Sequence, residues 1–224
     1  MIDHSDAKLI KNALTFWDKL DNETQEYILQ NTFSTEYKRK DFLNPGDKDC
    51  FGIILVKTGN LRVYILSDEG KEITLYRLEN GEVCVLSSSC VLNSISFEVH
   101  LCAESDCEIF HISSHIFQSI VQKNIYAECF FYKLATERFS SVMWTMEQIL
   151  FTSFDKRLAG FLLDESIKTK SDTIPYTQEE IAHYISSARE VVSRMLKYFA
   201  TEGYVTLIRG GVIIKDKKKL RDLL

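Results

Sequence analysis

The stretch Gln178-Glu-Glu-Ile-Ala-His-Tyr-Ile-Ser-Ser-Ala-Arg189-Glu-Val-Val-Ser-Arg-Met-Leu-Lys-Tyr198 decides the reading of this chain. Its apolar residues recur at helical spacing in two runs, roughly 8 and 14 residues long. Thr177 followed by Glu180 makes a capping box that starts the first helix. The second starts near Ser187, runs to about Thr201 and is stopped by Gly203. Between them lies only the turn Ser186-Ser187-Ala188, and small Ala182 sits where the helices must approach closely. This pattern predicts a helix-turn-helix. Arg189, Glu190, Ser193 and Arg194 project from one side of the second helix near its N-terminus, with Val192, Met195, Leu196 and Phe199 on the other. A polar cluster at that place is what enters a major groove. Arginine can bond guanine O6 and N7 together, glutamate can accept from cytosine N4, and each good pair gives roughly 1–3 kcal/mol of discrimination. The plainer alternatives are a capping box between Ser187 and Glu190 and a solvated face for the arginines.

The flanks fit the same reading. Tyr204-Val-Thr-Leu-Ile-Arg, Gly210-Gly211 and Val212-Ile-Ile-Lys predict a two-stranded wing with a tight glycine turn. Arg209 and the lysines of Lys215-Asp-Lys-Lys-Lys suit phosphates rather than bases. Thr177, Gln178, Ser187 and Lys197 complete the residues expected to touch DNA. Upstream, Phe154 to Ser166 reads as a helix entered through Asp155, and 167–176 as a polar connector containing Pro175. Charge is divided along the chain: residues 152–224 hold 13 basic against 10 acidic side chains, and residues 1–151 hold 14 against 22. An acidic front and a mildly basic back predict two modules with different partners.

The front differs in period. Residues 7–39 read as one or two helices. Between Phe42 and His111 short apolar runs such as Phe51-Gly-Ile-Ile-Leu-Val and Leu61-Arg-Val-Tyr-Ile-Leu alternate with Gly-containing turns. That spacing predicts an antiparallel β-roll. Gly59, Gly70 and Gly81 recur where successive hairpins need positive φ. From about Asn124 to Phe151 the pattern turns helical, with Tyr132, Ala135, Phe139, Val142, Met146 and Ile149 forming a narrow seam suited to a second helix. The alternative is a helix laid on its own domain.

Composition excludes several classes. The 224 residues are 45% hydrophobic and 26% charged, with 9 Gly and 2 Pro, as in an ordinary globular protein rather than a disordered or collagen-like one. The polar, acidic start Met1-Ile2-Asp3-His4-Ser5-Asp6 does not read as a secretory signal. No run approaches the roughly 18 apolar residues of a spanning segment. Six cysteines in this length are not a secreted disulfide scaffold. A cytoplasmic protein with reduced thiols and no membrane partner is expected. No P-loop, GxSxG or HExxH string occurs, and His100, His111 and His115 lack the cupin arrangement, so an enzyme is not expected.

Taken together, roll, seam helix and winged helix-turn-helix resemble the CRP/FNR family of bacterial transcription regulators over nearly the whole chain. Gly59-Asn-Leu-Arg-Val-Tyr, Asp68-Glu-Gly-Lys-Glu, Gly81-Glu-Val and above all Arg189-Glu-Val-Val-Ser-Arg194 carry the resemblance. It implies an α+β fold with a cyclic-nucleotide-binding-like roll at 1–123, a dimerisation helix at 124–151 and a winged helix-turn-helix at 152–224. Arg189, Glu190 and Arg194 match the family's base-reading positions, and Ser193 the serine of the fumarate-nitrate-regulator subgroup. The resemblance further implies a homodimer on an inverted repeat with TGA-containing half-sites about 34 Å apart, and RNA polymerase as a partner.

Two departures bear on the effector. Cyclic-AMP-binding members have a Gly-Glu pair followed by an Arg-Ser pair in the phosphate cradle, but residues 81–99 contain no arginine. A buried phosphate needs a charge-assisted partner, so cyclic AMP is not the expected effector. The iron–sulfur cluster of the fumarate-nitrate regulators is not expected either, because residues 1–49 contain no cysteine. Gly81, Glu82, Cys84, Ser87, Ser88, Ser89 and Cys90 are the candidate effector residues, a serine-rich loop being able to cradle an anion by its N–H groups. An alternative is a thiol- or metal-responsive regulator using Cys84 and Cys90, with Cys102, Cys107, His111 or His115 nearby; the plain reading of those cysteines is apolar filler. A third reading is an effector-independent DNA-binding protein, and a fourth a sensory adaptor that does not touch DNA. Thr152 to Asp155 is the expected pivot of any switch.

Overall fold

The computed structural model describes residues 2–43, 52–85 and 98–224. Two helices open it, α1 (His4–Ala13) and α2 (Asn22–Gln30), entered through Asp3 and Asp21, whose carboxylates accept from Asp6 and Thr24 N–H groups. Strands β1 (Thr32–Tyr37), β2 (Phe42–Leu43), β3 (Ile53–Thr58), β4 (Leu61–Leu66), β5 (Glu72–Leu78), β6 (Val83–Cys84), β7 (His100–Ala103) and β8 (Cys107–Ile112) follow. Next come α3 (Ser114–Val121), α4 (Ile125–Phe151) and α5 (Phe154–Thr169), then strand β9 (Thr173–Ile174). Helices α6 (Gln178–Tyr184) and α7 (Arg189–Thr201), strands β10 (Val205–Ile208) and β11 (Gly211–Ile214), and α8 (Lys217–Arg221) complete the chain. Contacts cluster into two units, one of residues up to Leu66 with Leu75–Val142, the other of Ser67–Thr74 with Met143–Leu224.

In the first unit two four-stranded antiparallel sheets, ordered β1-β8-β3-β6 and β2-β7-β4-β5, form the roll. Strand β3 shows why its sequence is an unbroken apolar run. Successive strand residues point to opposite faces. Ile54 and Val56 therefore join Leu61, Val63, Leu101 and Ile109 between the sheets. Ile53 and Leu55 join Phe110, Ile10, Trp17, Phe117 and Phe131 beneath the helices. A strand buried on both faces cannot alternate polar with apolar residues. Each fully buried side chain of this size contributes roughly 1.5–3 kcal/mol.

Gly59 has φ +83°, and an added Cβ would lie 2.5 Å from the Asp106 carbonyl oxygen, so the β3–β4 turn needs glycine for both conformation and space. One expectation fails here. Residues 32–37 are not helical but form β1, paired along its length with β8 from Thr32↔Ile112 to Tyr37↔Cys107. The alternation of β-branched and aromatic residues in Thr-Phe-Ser-Thr-Glu-Tyr favours a strand.

The second unit has its own core, in which Leu158, Leu162, Ile181, Val192, Leu196, Phe199, Val205 and Leu220 are buried. The connector 167–176 is not wholly irregular: Thr173 and Ile174 form β9, which pairs with β11 and makes the wing a three-stranded sheet. The wing turn is Arg209-Gly210, while Gly211 already belongs to β11, opposite Ile208. Glycine is needed at 211 because a Cβ there would lie 2.6 Å from the Ile174 carbonyl oxygen. No described helix is long and apolar enough to cross a membrane.

Candidate nucleic-acid interface

The sequence around α6 and α7 builds the site through its caps. Thr177 Oγ1 accepts from Glu180 N–H at 3.2 Å, and Glu180 Oε2 accepts from Thr177 N–H at 2.8 Å, closing the expected capping box. The Thr177 hydroxyl also donates to the same carboxylate at 2.9 Å. It therefore serves the cap, and Gln178, the first residue of α6, is half-buried. At its other end α6 stops in a Schellman motif. Ser187 N–H donates to Ala182 O at 2.9 Å, Ser186 N–H donates to His183 O at 3.4 Å, and Ser186 adopts φ +52°. Arg157 of α5 fixes this turn by donating through Nη1 to Ile185 O at 2.9 Å.

The second helix begins at Arg189, two residues after the expected start near Ser187. Ala188 is its N-cap and makes no side-chain bond, so the alternative box between Ser187 and Glu190 is not formed. Val192, Leu196 and Phe199 are fully buried, while Arg189, Glu190, Arg194 and Lys197 are exposed and Ser193 is half-buried. At 3.6 residues per turn those five polar side chains span an arc of about 140°. Among the described residues, neither a hydrogen bond nor an ion pair engages the side chain of Arg189, Glu190, Arg194, Lys197 or Arg209. Three cations and a carboxylate on one helix face, held by a packed opposite face and left without internal partners, can bond a second molecule at little reorganisation cost.

The basic end divides. Lys217 pairs with Asp172 and holds that carboxyl below the usual carboxylate range. Lys219 donates to the Glu202 carbonyl oxygen at 3.1 Å and lies over the Tyr204 ring. Asp216 caps α8 by accepting from Lys218 and Lys219 N–H groups. Lys217 and Lys219, expected at phosphates, thus also make bonds within their own unit; Lys215, Lys218 and Lys219 are exposed.

Helix α4 departs from the expected seam in an informative way. Ala135 packs against the helix-covered core of the first unit and Val142 against the core between its sheets. Ile149 is half-buried. Tyr132, Phe139 and Met146 are exposed, and so are Ile125, Cys129, Thr136, Met143 and Leu150. These eight recur at alternating spacings of 4 and 3, the repeat of a helix that faces another helix. The alternation of 3 and 4 could be entered at two places in this sequence, and only burial separates them.

Around the candidate effector residues, Gly81 has φ +83°, Glu82 is partly exposed and Cys84 is fully buried. Ser87, Ser88, Ser89 and Cys90 lie outside the described residues. Cys84, Cys102 and Cys107 are buried free thiols, and burial pushes Cys107 up to about 11, which favours its protonated form. His111 stacks on Phe33, and His100 lies tilted against the Tyr64 ring. Among the described residues no three His, Cys, Asp or Glu side chains converge as metal ligands.

The Crp-like helix-turn-helix domain matches residues 156–223 and the cyclic nucleotide-binding domain residues 35–124. A regulator from Eubacterium rectale assigned to the CRP/FNR family, solved by crystallography, is 42% identical, with 95% of this chain and 99% of that one covered at a TM-score of 0.90. The chain belongs to the CRP/FNR family. Within it, the cAMP-activated global transcriptional regulator CRP of Pasteurella multocida is 26% identical over 85% of this chain and 94% of its own. The c-di-GMP-responsive regulator CLP of Xanthomonas campestris shares the fold at 20% identity and a TM-score of 0.70, with 88% of this chain and 100% of that one covered. The chain is a CRP/FNR-type transcription regulator with a DNA-binding helix-turn-helix and a cyclic nucleotide-binding domain. The sequence of the phosphate cradle departs from that of the cyclic-AMP-binding members. Glu82 is in place, but residues 81–99 carry no arginine, and the cation bonded to Glu82 comes from α4.

Proposed function

We propose that this CRP/FNR regulator works as a homodimer that reads an inverted repeat with TGA-containing half-sites, under control of a non-cAMP effector sensed in the roll. The observation that carries the reading is the unengaged polar face of α7. Arg189 and Glu190 take base edges, Arg194 and Ser193 extend that readout, and Lys197, Ser187, Gln178 and Arg209 contact the backbone. Thr177 contributes by positioning α6. The parse into sensor roll (1–123), pairing helix (124–151) and reading unit (152–224) follows, with Thr152–Asp155 as the pivot.

The exposed stripe from Ile125 to Leu150 supplies the pairing surface, a second copy lying along it in parallel. An effector shifts the active pose only if it binds that pose more tightly than the other. RNA polymerase contact is the family's route from bound DNA to transcription. The deciding experiment selects duplexes from a random pool with the full-length protein. Recovery of a two-fold-symmetric motif containing TGA supports the reading, and recovery of no motif overturns it.

A further inference from the structure

The first turn of α7 carries one apolar side chain that stands outside the core. Val191 is the third residue of the helix and follows Arg189 and Glu190, both exposed. At 3.6 residues per turn it lies about 60° beyond Arg194, at the edge of the polar arc, and about 80° short of the buried Phe199. It is half-buried, but among the described residues it is not one of the apolar side chains that pack against the core of the second unit. Met195, one turn further along the same edge, is one of them. The core therefore stops at Met195 on this edge, and Val191 continues the apolar line past it towards the helix N-terminus.

Helix formation does not favour valine at such a place, since alanine and the straight-chain residues are better helix formers, and packing against the core does not offset the difference. What valine supplies is a stiff pair of methyl groups, because a β-branched side chain in a helix is held to essentially one χ1 rotamer. The backbone beneath it is fixed as well. Val191 N–H donates to the Ala188 carbonyl oxygen at 3.0 Å and Val192 N–H to the same oxygen at 3.2 Å, while the Val192 side chain is fully buried. Helical side chains lean towards the N-terminus. The Val191 methyls thus lie towards the end of a recognition helix that meets base edges. Along the floor of a major groove those edges offer hydrogen-bond donors, acceptors and one apolar group, the C5-methyl of thymine. Set against the amino group of cytosine, an apolar side chain would leave a donor unpaired.

We propose that Val191 is a specificity-determining residue that packs its methyls on the C5-methyl of one thymine in each half-site. The proposal rests on α7 as the base-reading helix and adds a contact of a different kind. Arg189 and Glu190 read polar edges through hydrogen bonds, whereas Val191 reads a methyl by removing it from water. Burial of about one methyl group is worth roughly a fourfold preference per half-site.

Uracil differs from thymine only in lacking that methyl, which gives the test. A duplex carrying the motif selected by the full-length protein is made with each thymine of one half-site replaced in turn by uracil. The affinities of wild type, V191S and V191I for these duplexes are compared. In the wild type one replacement should weaken binding about fourfold. In V191S the same replacement should have no effect, because the valine methyls are gone, whereas V191I should keep the penalty. A wild type indifferent to uracil at every position overturns the proposal. So does a V191S protein that binds all duplexes less well but retains the uracil penalty, since that gives Val191 a structural role alone. If V191S does not fold, V191Q takes its place, glutamine being a good helix former without a methyl group. Duplex selection is scored separately. A protein that selects a symmetric motif but ignores uracil loses this inference alone, and one that selects no motif loses the base-reading role of α7 and this inference with it.

Discussion

Two helices of this chain each leave one face without a partner, and the faces are opposite in kind. On α7 the exposed face is Arg189, Glu190, Arg194 and Lys197. On α4 it is Ile125, Tyr132, Phe139, Met143, Met146 and Leu150, between about 45% and 66% exposed. Unpaired charges on a rigid helix suit a polyanion bearing hydrogen-bonding bases. An apolar stripe of heptad spacing suits a copy of itself. The contrast assigns a different partner to each helix before any complex is considered.

The largest expected effect lies on the apolar face. Phe139→Asp places a charge on the proposed pairing surface, where two-fold symmetry would make each substitution count twice. Losing one buried phenylalanine per protomer removes roughly 3–6 kcal/mol from pairing. Analytical ultracentrifugation should show monomer at concentrations where the parent is dimeric, with the unfolding midpoint of the second unit unchanged. A dimer that survives would reassign the stripe. Cys129 sharpens the same comparison, since it is exposed on that stripe. In parallel, in-register pairing it meets its own copy, so a mild thiol oxidant should give a crosslinked dimer that C129S abolishes.

On the charged face the effect is smaller and selective. Glu190→Ala should cost about 1–3 kcal/mol of discrimination at a single base pair and leave the other positions unchanged. Competition binding against single-base variants of the selected site measures it. Uniform weakening across all variants would place Glu190 outside base reading. Lys197→Ala is the companion, expected to weaken every duplex alike and to reduce the salt dependence.

Much of the second unit was legible because its signals are local. A capping box three residues apart, a glycine stop at Gly203 and a buried 192-196-199 stripe all lie within one or two helical turns. What escaped depends on distant partners. Strand β9 is only Thr173–Ile174, and it becomes a strand because β11 lies beside it. No local spacing shows that Lys217 pairs with Asp172 or that Lys219 lies over Tyr204. Along α4 the predicted seam divides for the same reason: Tyr132, Phe139 and Met146 are exposed, whereas Ala135 and Val142 pack on their own unit. In the roll, no rule of spacing could connect Arg138 with Glu82, which lies 56 positions away.

The next effect in size concerns how α6 is held for either partner. Replacing Thr177 with Ala deletes the cap of α6 and should cost about 1 kcal/mol of stability in the second unit, read by denaturant melting. DNA selectivity should keep its pattern, because the Thr177 hydroxyl is spent on Glu180. A changed base preference would show that Thr177 does more than hold the helix.

Ser186→Gly is the smallest change and tests the turn itself. Ser186 sits at φ +52° as the Schellman residue between the two helices, a place where glycine is the usual occupant. A non-glycine residue in the left-handed region is strained by roughly 1–2 kcal/mol. Glycine relieves that strain but gives back about 0.5–1 kcal/mol through the added freedom of the unfolded chain. The net expectation is a gain of about 0.5 kcal/mol, again by denaturant melting. The turn also hangs on Arg157, whose bond to the Ile185 carbonyl does not involve the residue 186 side chain. The α6–α7 angle should therefore survive the substitution, and the selected duplex motif should be the same. Stabilisation with altered base preference would mean that the strain at Ser186, rather than the packing of Ala182 and Val192, sets how α7 is presented.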